Sequence, residues 1–265
     1  MNVISFPKLG IVLNIKPAAF HIGPKPIYWY AIIILAGFLL GMLFVMRDSK
    51  KYGVNSENVM DIALFGLVFG IIGARIYYVL FALEEFTSIA DVFKIWNGGL
   101  AIYGGIIAAF ISTAVYCKVK GLNLLNVFDV CCPGLFIGQA IGRWGNFVNA
   151  EVFGGETNLP WGMSINGANP VHPLFLYESL WNIIGLILLC IFRKKKTADG
   201  QVICFYVGWY SLGRLFLEGM RNPAYILYAI PGILGISQIV AALGVIAAIV
   251  FFIVFTRGSK LKKNA

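Results

Sequence analysis

Seven long apolar runs are separated by more polar connections along the chain. They cover approximately residues 27–46, 59–82, 100–117, 124–142, 174–192, 202–220 and 236–256. Each run is close to the roughly 20 residues with which an α-helix crosses a bilayer, and its apolar residues are continuous rather than alternating as in barrel strands. Because backbone polar groups in lipid must be paired within their own segment, we expect seven membrane-spanning helices.

The composition supports a membrane protein. Of the 265 residues, 59% are hydrophobic and only 12% are charged, whereas a soluble domain has about 25% charged residues and a disordered segment has low hydrophobicity. We therefore predict an all-α, polytopic membrane protein in which residues 1–265 form a single integral membrane domain. The five cysteines lack metal-ligand or disulfide spacing, so we expect neither a metal nor another cofactor.

Basic residues are distributed unevenly between the connections. Thirteen of the 21 Lys and Arg residues follow the first, third, fifth and seventh runs, and seven lie on the opposite side. Because basic connections are retained in the cytoplasm, we expect the N-terminus outside and the C-terminus in the cytoplasm. The net charge of +9 is then a topology signal, and we expect no binding to nucleic acid.

Several ionisable side chains lie inside the predicted spans, where they are costly and usually serve function. With the orientation above, the tyrosines and charged residues that fall in the outer half of the bilayer are Tyr30, Arg75, Tyr103, Arg143, Glu178, Arg214 and Glu218. This shared depth favours a site that opens near the outer leaflet over a transport pathway, whose binding sites lie near the midplane.

Two stretches carry the most distinctive chemistry. The predicted outer connection that follows the fourth run begins GRWGNFVNAEVFGG at 142–155 and places an arginine, two amides and a carboxylate within nine residues. In the sixth run, Arg214 and Glu218 are four residues apart and share a helix face. Arginine can hold a phosphate bidentately. The alternatives are a glycine-rich turn with a snorkelling arginine and an ion pair that only locks a helix.

These stretches resemble the prolipoprotein diacylglyceryl transferases, a family of bacterial membrane enzymes, over essentially the whole chain. The motifs that carry the resemblance are YWYAIIILAGF at 28–38, GARIYYVLF at 73–81, GGLAIYGG at 98–105, GRWGNFVNAEVFG at 142–154, HPLFLYE at 172–178 and YSLGRLFLEGMRNP at 210–223. The resemblance implies a seven-span protein of the bacterial cell membrane. It also implies transfer of the diacylglyceryl group of phosphatidylglycerol to the lipobox cysteine of a prolipoprotein signal peptide, with release of glycerol phosphate.

The resemblance further implies roles for individual residues. By position in the motifs, these are Tyr30, Arg143, Asn146, Glu151, Gly154, Tyr210, Arg214 and Glu218. We expect Arg143 and Arg214 to clamp the phosphate. Glu151 and Glu218 would orient these arginines. The residues expected to bind substrate are Tyr30, Arg75, Asn146, Gly154 and Tyr210.

Tyr103 departs from the family pattern, since many members carry histidine at this position. A tyrosine has an ordinary pKa of about 10, so at neutral pH it is a poor base but a good hydrogen-bond donor. We therefore expect Tyr103 to contribute to catalysis by positioning the lipid. Other functions compatible with the residues are a transporter or channel, a non-enzymatic lipid-binding or assembly protein, and another lipid-headgroup transferase.

Overall fold

Long apolar helices make up most of a computed structural model of the chain, which describes residues 1–86, 88–230 and 233–264. In order, the helices are α1 (Trp29–Ser49), α2 (Ser56–Phe81), α3 (Ile89–Val92), α4 (Ile102–Lys120), α5 (Leu124–Asn149), α6 (Leu174–Phe192), α7 (Gln201–Glu218) and α8 (Ile236–Asn264). Among the described residues, six helices are long and apolar enough to cross a membrane, and α7 is outside that set. The predicted all-α, polytopic membrane fold is confirmed.

The difference from the predicted spans that matters most for the charged residues is at the end of α5. The fourth run was expected to end near residue 142, but the helix continues to Asn149, which places Arg143 and Asn146 on the helix. Glycine and asparagine have low helix propensity. Aromatic packing compensates, because the rings of Trp144 and Phe147 lie 5.3 and 4.4 Å from that of Phe175 on α6.

Short strands add small sheets that the hydrophobic pattern did not predict. They are β1 (Asn2–Phe6), β2 (Ile11–Ile15), β3 (Ala18–Ile22), β4 (Lys25–Tyr28), β5 (Ser164–Ile165), β6 (Tyr228–Ile230) and β7 (Leu234–Gly235). All pairings are antiparallel, in the orders β2-β1-β5, β3-β4 and β6-β7. Ile4 of β1 is fully buried against Met163, Val171 and Phe175. This packing ties the start of the chain to the connection that precedes α6.

The chain divides into two compact units. The first comprises Met1–Phe44 and Cys131–Ala265, and the second comprises Val45–Val130. In the first unit, glycines allow α1 to approach α5 closely: a Cβ added to Gly41 would lie only 2.6 Å from the carbonyl oxygen of Gly134. The expectation of a single membrane domain stays a prediction.

Two tryptophans join α6 to α7 within the first unit. The indole N–H of Trp181 donates to the carbonyl oxygen of Trp209 at 3.0 Å, and Trp209 donates to the carbonyl oxygen of Trp181 at 2.9 Å. Their rings stack with centroids 4.5 Å apart. Gly185 and Gly213 leave room for the two indoles, because a Cβ at either position would collide with a tryptophan ring. This reciprocal contact fixes the position of α6 along the length of α7. These two helices carry most of the charged side chains described below.

Candidate active site

Five charged side chains of the first unit meet where α5 and α7 end and α6 begins. We call this group the charge cluster; its members are Arg143, Glu178, Arg214, Glu218 and Arg221. Glu178 forms a close ion pair with Arg143 through Oε2 and Nη2. Its other oxygen, Oε1, lies 3.7 Å from both Arg214 Nη1 and Arg221 Nη2. Glu218 Oε2 lies 2.7 Å from Arg214 Nη2 and 3.5 Å from Arg221 Nε.

The charge cluster has a surplus of positive charge in a largely buried setting. Three guanidinium groups face two carboxylates, and the side chains of Glu178 and Glu218 are only 6% and 1% exposed. Burial lowers the pKa of Arg221, and repulsion from Arg214 lowers it further. An anion bound among the arginines would neutralise this surplus, and in a site with little water such an interaction is strong.

Glu178 is the residue that sequence reasoning undervalued. The sequence indicates only that it is an ionisable group in the outer half of a span and assigns it no role. In the structure it is the carboxylate shared by all three arginines of the charge cluster. The sequence feature that could have indicated a role for Glu178 is its position in the first turn of α6. Which arginines it contacts could not be predicted, because that depends on how α5 and α7 pack against this turn.

Glu151 was expected to orient Arg143, and the structure connects these two residues through an amide. Asn146 Nδ2 donates to Glu151 Oε1 at 2.9 Å, and Arg143 Nη1 donates to Asn146 Oδ1 at 3.4 Å. The carboxylate that pairs directly with Arg143 is Glu178. Glu218, by contrast, contacts Arg214 directly, as expected from their spacing.

A turn with unusual backbone geometry directs Glu151 back towards α5. The residues on either side of it, Ala150 and Val152, have φ angles of 55° and 54°. Side-chain-bearing residues rarely adopt this left-handed region, and for a β-branched residue such as Val152 it is a genuine outlier. The amide N–H of Glu151 donates to the carbonyl oxygen of Asn146 at 3.1 Å, which closes the turn. Strain of this kind persists where the surroundings enforce it, often at functional sites.

Gly154 lies where the chain passes between the start of α6 and the end of α7. Its N–H donates to the carbonyl oxygen of His172 at 3.0 Å. A Cβ at this position would lie 2.5 Å from the Cβ of His172 and 2.7 Å from the carbonyl oxygen of Met220. Glycine is therefore required here for packing, which keeps the segment after Glu151 against the charge cluster. The expected role of Gly154 in binding substrate stays a prediction.

The first unit contains two tyrosines that are expected to bind substrate, Tyr30 on α1 and Tyr210 on α7. The ring of Tyr30 packs on Gly145, where an added Cβ would be 2.9 Å from Tyr30 Cδ2. Tyr210 lies one helical turn before Arg214, and its ring stacks 6.3 Å from that of Tyr206. Both are thus close in the chain or in space to arginines of the charge cluster, and their contacts with substrate stay predictions.

Arg75 belongs to the second unit, where it organises the backbone before α4. Its guanidinium donates to the carbonyl oxygens of Asp91, Val92, Gly98 and Gly99 at 2.7 to 2.9 Å. Gly99 has a φ of +72°, and a Cβ there would lie 2.5 Å from Arg75 Nη1. These contacts give Arg75 an architectural role. The sequence-based expectation that it binds substrate stays a prediction.

Tyr103 also belongs to the second unit, in the first turn of α4. The next residue, Gly104, packs directly against the backbone of Gly73 on α2. The backbone of Tyr103 is therefore held in place, whereas its side chain is 49% exposed. A fixed backbone at a half-exposed tyrosine is compatible with a residue that positions a ligand, and this role of Tyr103 stays a prediction.

Comparison with known proteins identifies the chain. A family model described as prolipoprotein diacylglyceryl transferase matches residues 17–254. The chain belongs to the prolipoprotein diacylglyceryl transferase family. This confirms the resemblance carried by the sequence motifs and identifies the protein as a transferase, which sets aside the transporter, channel and non-enzymatic interpretations.

Curated members of this family are similar to the chain over nearly its whole length. The phosphatidylglycerol–prolipoprotein diacylglyceryl transferase of Clostridioides difficile (strain 630) is 40% identical over 243 residues, which cover 91% of this chain and 96% of the relative. That of Streptococcus equi subsp. zooepidemicus (strain H70) is 42% identical, covering 89% and 94%. Transferase 1 of Clostridium perfringens (strain 13 / Type A) is 43% identical, covering 94% and 98%. The relatives are bacterial, and the chain is a multi-pass membrane protein of their family.

The geometry suits a transferase of this family. Diacylglyceryl transfer from a phospholipid leaves a phosphate group behind, and the charge cluster presents three guanidinium groups around two buried carboxylates. Guanidinium groups are planar, stay charged and match the geometry of phosphate oxygens. The charge cluster thus has the residue types that a phosphate-binding site uses.

Proposed function

We propose that the protein transfers the diacylglyceryl group of phosphatidylglycerol to the thiol of the lipobox cysteine in prolipoproteins. In this reaction the thiol sulfur forms a bond with the glycerol carbon that bears the phosphate. The bond between that carbon and the phosphate oxygen breaks, and its electron pair leaves with glycerol phosphate. The released phosphate can accept the proton of the thiol. The observation that carries the proposal is the charge cluster, with its surplus of one positive charge.

Several residues of the first unit have distinct roles in this reaction. Arg143 and Arg214 hold the phosphate as negative charge develops on it, which is the form of stabilisation that contributes most in a water-poor site. Glu178 and Glu218 fix the directions of these arginines. Asn146 bonds to headgroup oxygens. The positive field also favours the thiolate, which is the reactive form of a thiol whose ordinary pKa is about 8.5.

The test is an assay with labelled phosphatidylglycerol and a lipobox peptide in vesicles that contain the purified protein. We expect a thioether-linked diacylglyceryl peptide and free glycerol phosphate, and no product with a peptide whose cysteine is replaced by serine. Transfer from another phospholipid but not from phosphatidylglycerol would favour a related headgroup transferase instead. Absence of any thioether with every lipid would contradict the proposal.

The proposed orientation places the N-terminus outside and the C-terminus in the cytoplasm, on the basis of the uneven distribution of Lys and Arg. It is tested with single cysteines introduced at Asn158 and Lys195 in a variant that lacks the five native cysteines; both positions are exposed. A membrane-impermeant thiol reagent added to intact cells should label the cysteine at Asn158 and miss the one at Lys195. The reverse labelling would place the site on the cytoplasmic side.

Tyr103 is proposed to position the lipid through its hydroxyl. Tyr103→Phe removes one neutral hydrogen bond, which contributes about 0.5–1.5 kcal/mol, so we expect transfer to slow about two- to tenfold. Tyr103→His keeps a donor and should retain substantial activity. The measurement is thioether formation across a range of pH. A collapse by several orders of magnitude in Tyr103→Phe would mean that the hydroxyl transfers a proton.

A further inference from the structure

An apolar surface is exposed at the start of the chain. We call residues 7–28 the N-terminal platform. Its large apolar side chains that are more than a third exposed are Leu9, Ile11, Val12, Leu13, Phe20, Ile22 and Tyr28. Val12 and Leu13 are neighbours on β2 and therefore point to opposite faces of the sheet, yet both are exposed. A strand surrounded by water would bury one of these faces.

The same segment carries only positive charge. Lys8, Lys16 and Lys25 are all exposed, and the first acidic residue of the chain is Asp48. Exposed apolar side chains combined with lysines are typical of protein surfaces that lie in the interface of an anionic membrane. Phosphatidylglycerol is itself an anionic lipid, so the charge of the N-terminal platform is complementary to the proposed substrate.

The N-terminal platform and the charge cluster both belong to the first unit and are connected through α1. β4 ends at Tyr28 and leads directly into α1, where Tyr30 packs on Gly145, two residues beyond Arg143. A second link joins the platform to the connection that follows α5, because Lys8 Nζ donates to the carbonyl oxygen of Asn158 at 2.5 Å. The platform is therefore anchored to both segments that flank the end of α5, where Arg143 lies.

We propose that the N-terminal platform binds the anionic lipid surface and enriches phosphatidylglycerol around the part of the first unit that carries the charge cluster. Its apolar side chains lie among the upper acyl chains, and Lys16 and Lys25 attract phosphates electrostatically. This inference rests on the proposed function, because it assigns to the platform the task of supplying that reaction with its lipid.

The test compares two double variants that remove the same charge from different parts of the chain. Lys16→Gln with Lys25→Gln alters the platform and leaves Lys8, which bonds to Asn158, in place. Lys194→Gln with Lys195→Gln is the matched control in the connection between α6 and α7, where both lysines are also exposed. Transfer is measured in phosphatidylcholine vesicles with graded fractions of phosphatidylglycerol and saturating lipobox peptide, at low and high ionic strength.

For the platform variant we expect the KM for phosphatidylglycerol, in mole fraction, to rise roughly fivefold or more at low ionic strength, with kcat unchanged. The difference from the unmodified protein should shrink at high ionic strength, since salt screens exposed charges. The control variant should keep the original KM. An unchanged KM in the platform variant, or an equal rise in the control, would overturn the proposal. When the peptide is varied instead at a saturating fraction of phosphatidylglycerol, a rise confined to the KM for the peptide would mean that the platform binds peptide and would also overturn the proposal.

A second readout separates this inference from the proposed function. Spin-labelled phosphatidylglycerol and spin-labelled phosphatidylcholine are compared for association with the same three proteins, which requires no turnover. We expect the unmodified protein and the control variant to prefer the anionic label and the platform variant to lose much of that preference. Equal preference in all three proteins would contradict the platform even if transfer occurs. If the unmodified protein prefers the anionic label but shows no transfer, the proposed function would be contradicted and the lipid-binding role of the platform would stand.

Discussion

Arg143→Lys is expected to lower the rate of thioether formation about a hundredfold while the protein stays folded. The guanidinium group of Arg143 contacts two partners: Nη2 pairs with Glu178, and Nη1 lies 3.4 Å from Asn146 Oδ1. A lysine keeps the charge, but its compact ammonium group cannot maintain both contacts and also present paired donors to a phosphate. The measurement is the initial rate of transfer from labelled phosphatidylglycerol, together with a thermal unfolding curve.

The matched control for this substitution is Arg47→Lys, because Arg47 is exposed near the end of α1 and lies outside the charge cluster. It makes the same chemical change, and we expect it to leave transfer near its original rate. Near-normal transfer by Arg143→Lys would mean that a point charge is sufficient at this position. The bidentate clamp would then have to be abandoned.

The features that the sequence predicted well are those that depend on local signals. Continuous apolar runs located all seven long helices within a few residues at most ends, because a bilayer demands length and hydrophobicity of each span separately. Arg143, Arg214 and Glu218 stand out in the sequence because a charge inside an apolar run is conspicuous and costly, and the structure places all three in the charge cluster. The direct pair between Arg214 and Glu218 followed from their helical spacing, and the structure has it at 2.7 Å.

The features that were missed depend on contacts between distant parts of the chain. α5 continues past its glycines because of ring packing with Phe175, and β1 pairs with β5, far along the chain, as well as with the neighbouring β2. The contacts of Arg75 with backbone carbonyls in the segment before α4 were likewise not predictable from spacing, and its expected role in binding substrate stays a prediction. In the same way, the ion pair between Arg143 and Glu178 joins two helices, so the spacing of these residues in the sequence could not predict it.

Glu178→Gln is expected to cost both stability and activity, because it removes the carboxylate that the three arginines share. The charge cluster would then contain three guanidinium groups and one carboxylate, with a net charge of +2 instead of +1. Removing one partner from a buried ion pair costs about 3–5 kcal/mol in free energy of unfolding, because a charge is left uncompensated. Transfer should fall about a hundredfold, as Arg143 and Arg214 lose their fixed directions. Glu57→Gln, at an exposed position in the first turn of α2, is the matched control.

Arg143→Gln combined with Glu178→Gln separates the structural part of this effect from the catalytic part. The double variant returns the net charge of the charge cluster to +1, because one arginine and one glutamate are removed together. We therefore expect thermal unfolding in detergent to recover most of the stability lost in Glu178→Gln, as contacting residues are strongly coupled. Transfer should stay as low as in the worse single variant, since the phosphate clamp lacks Arg143. Recovery of transfer along with stability would show that the pair serves only packing, and Arg143 would lose its place in the mechanism.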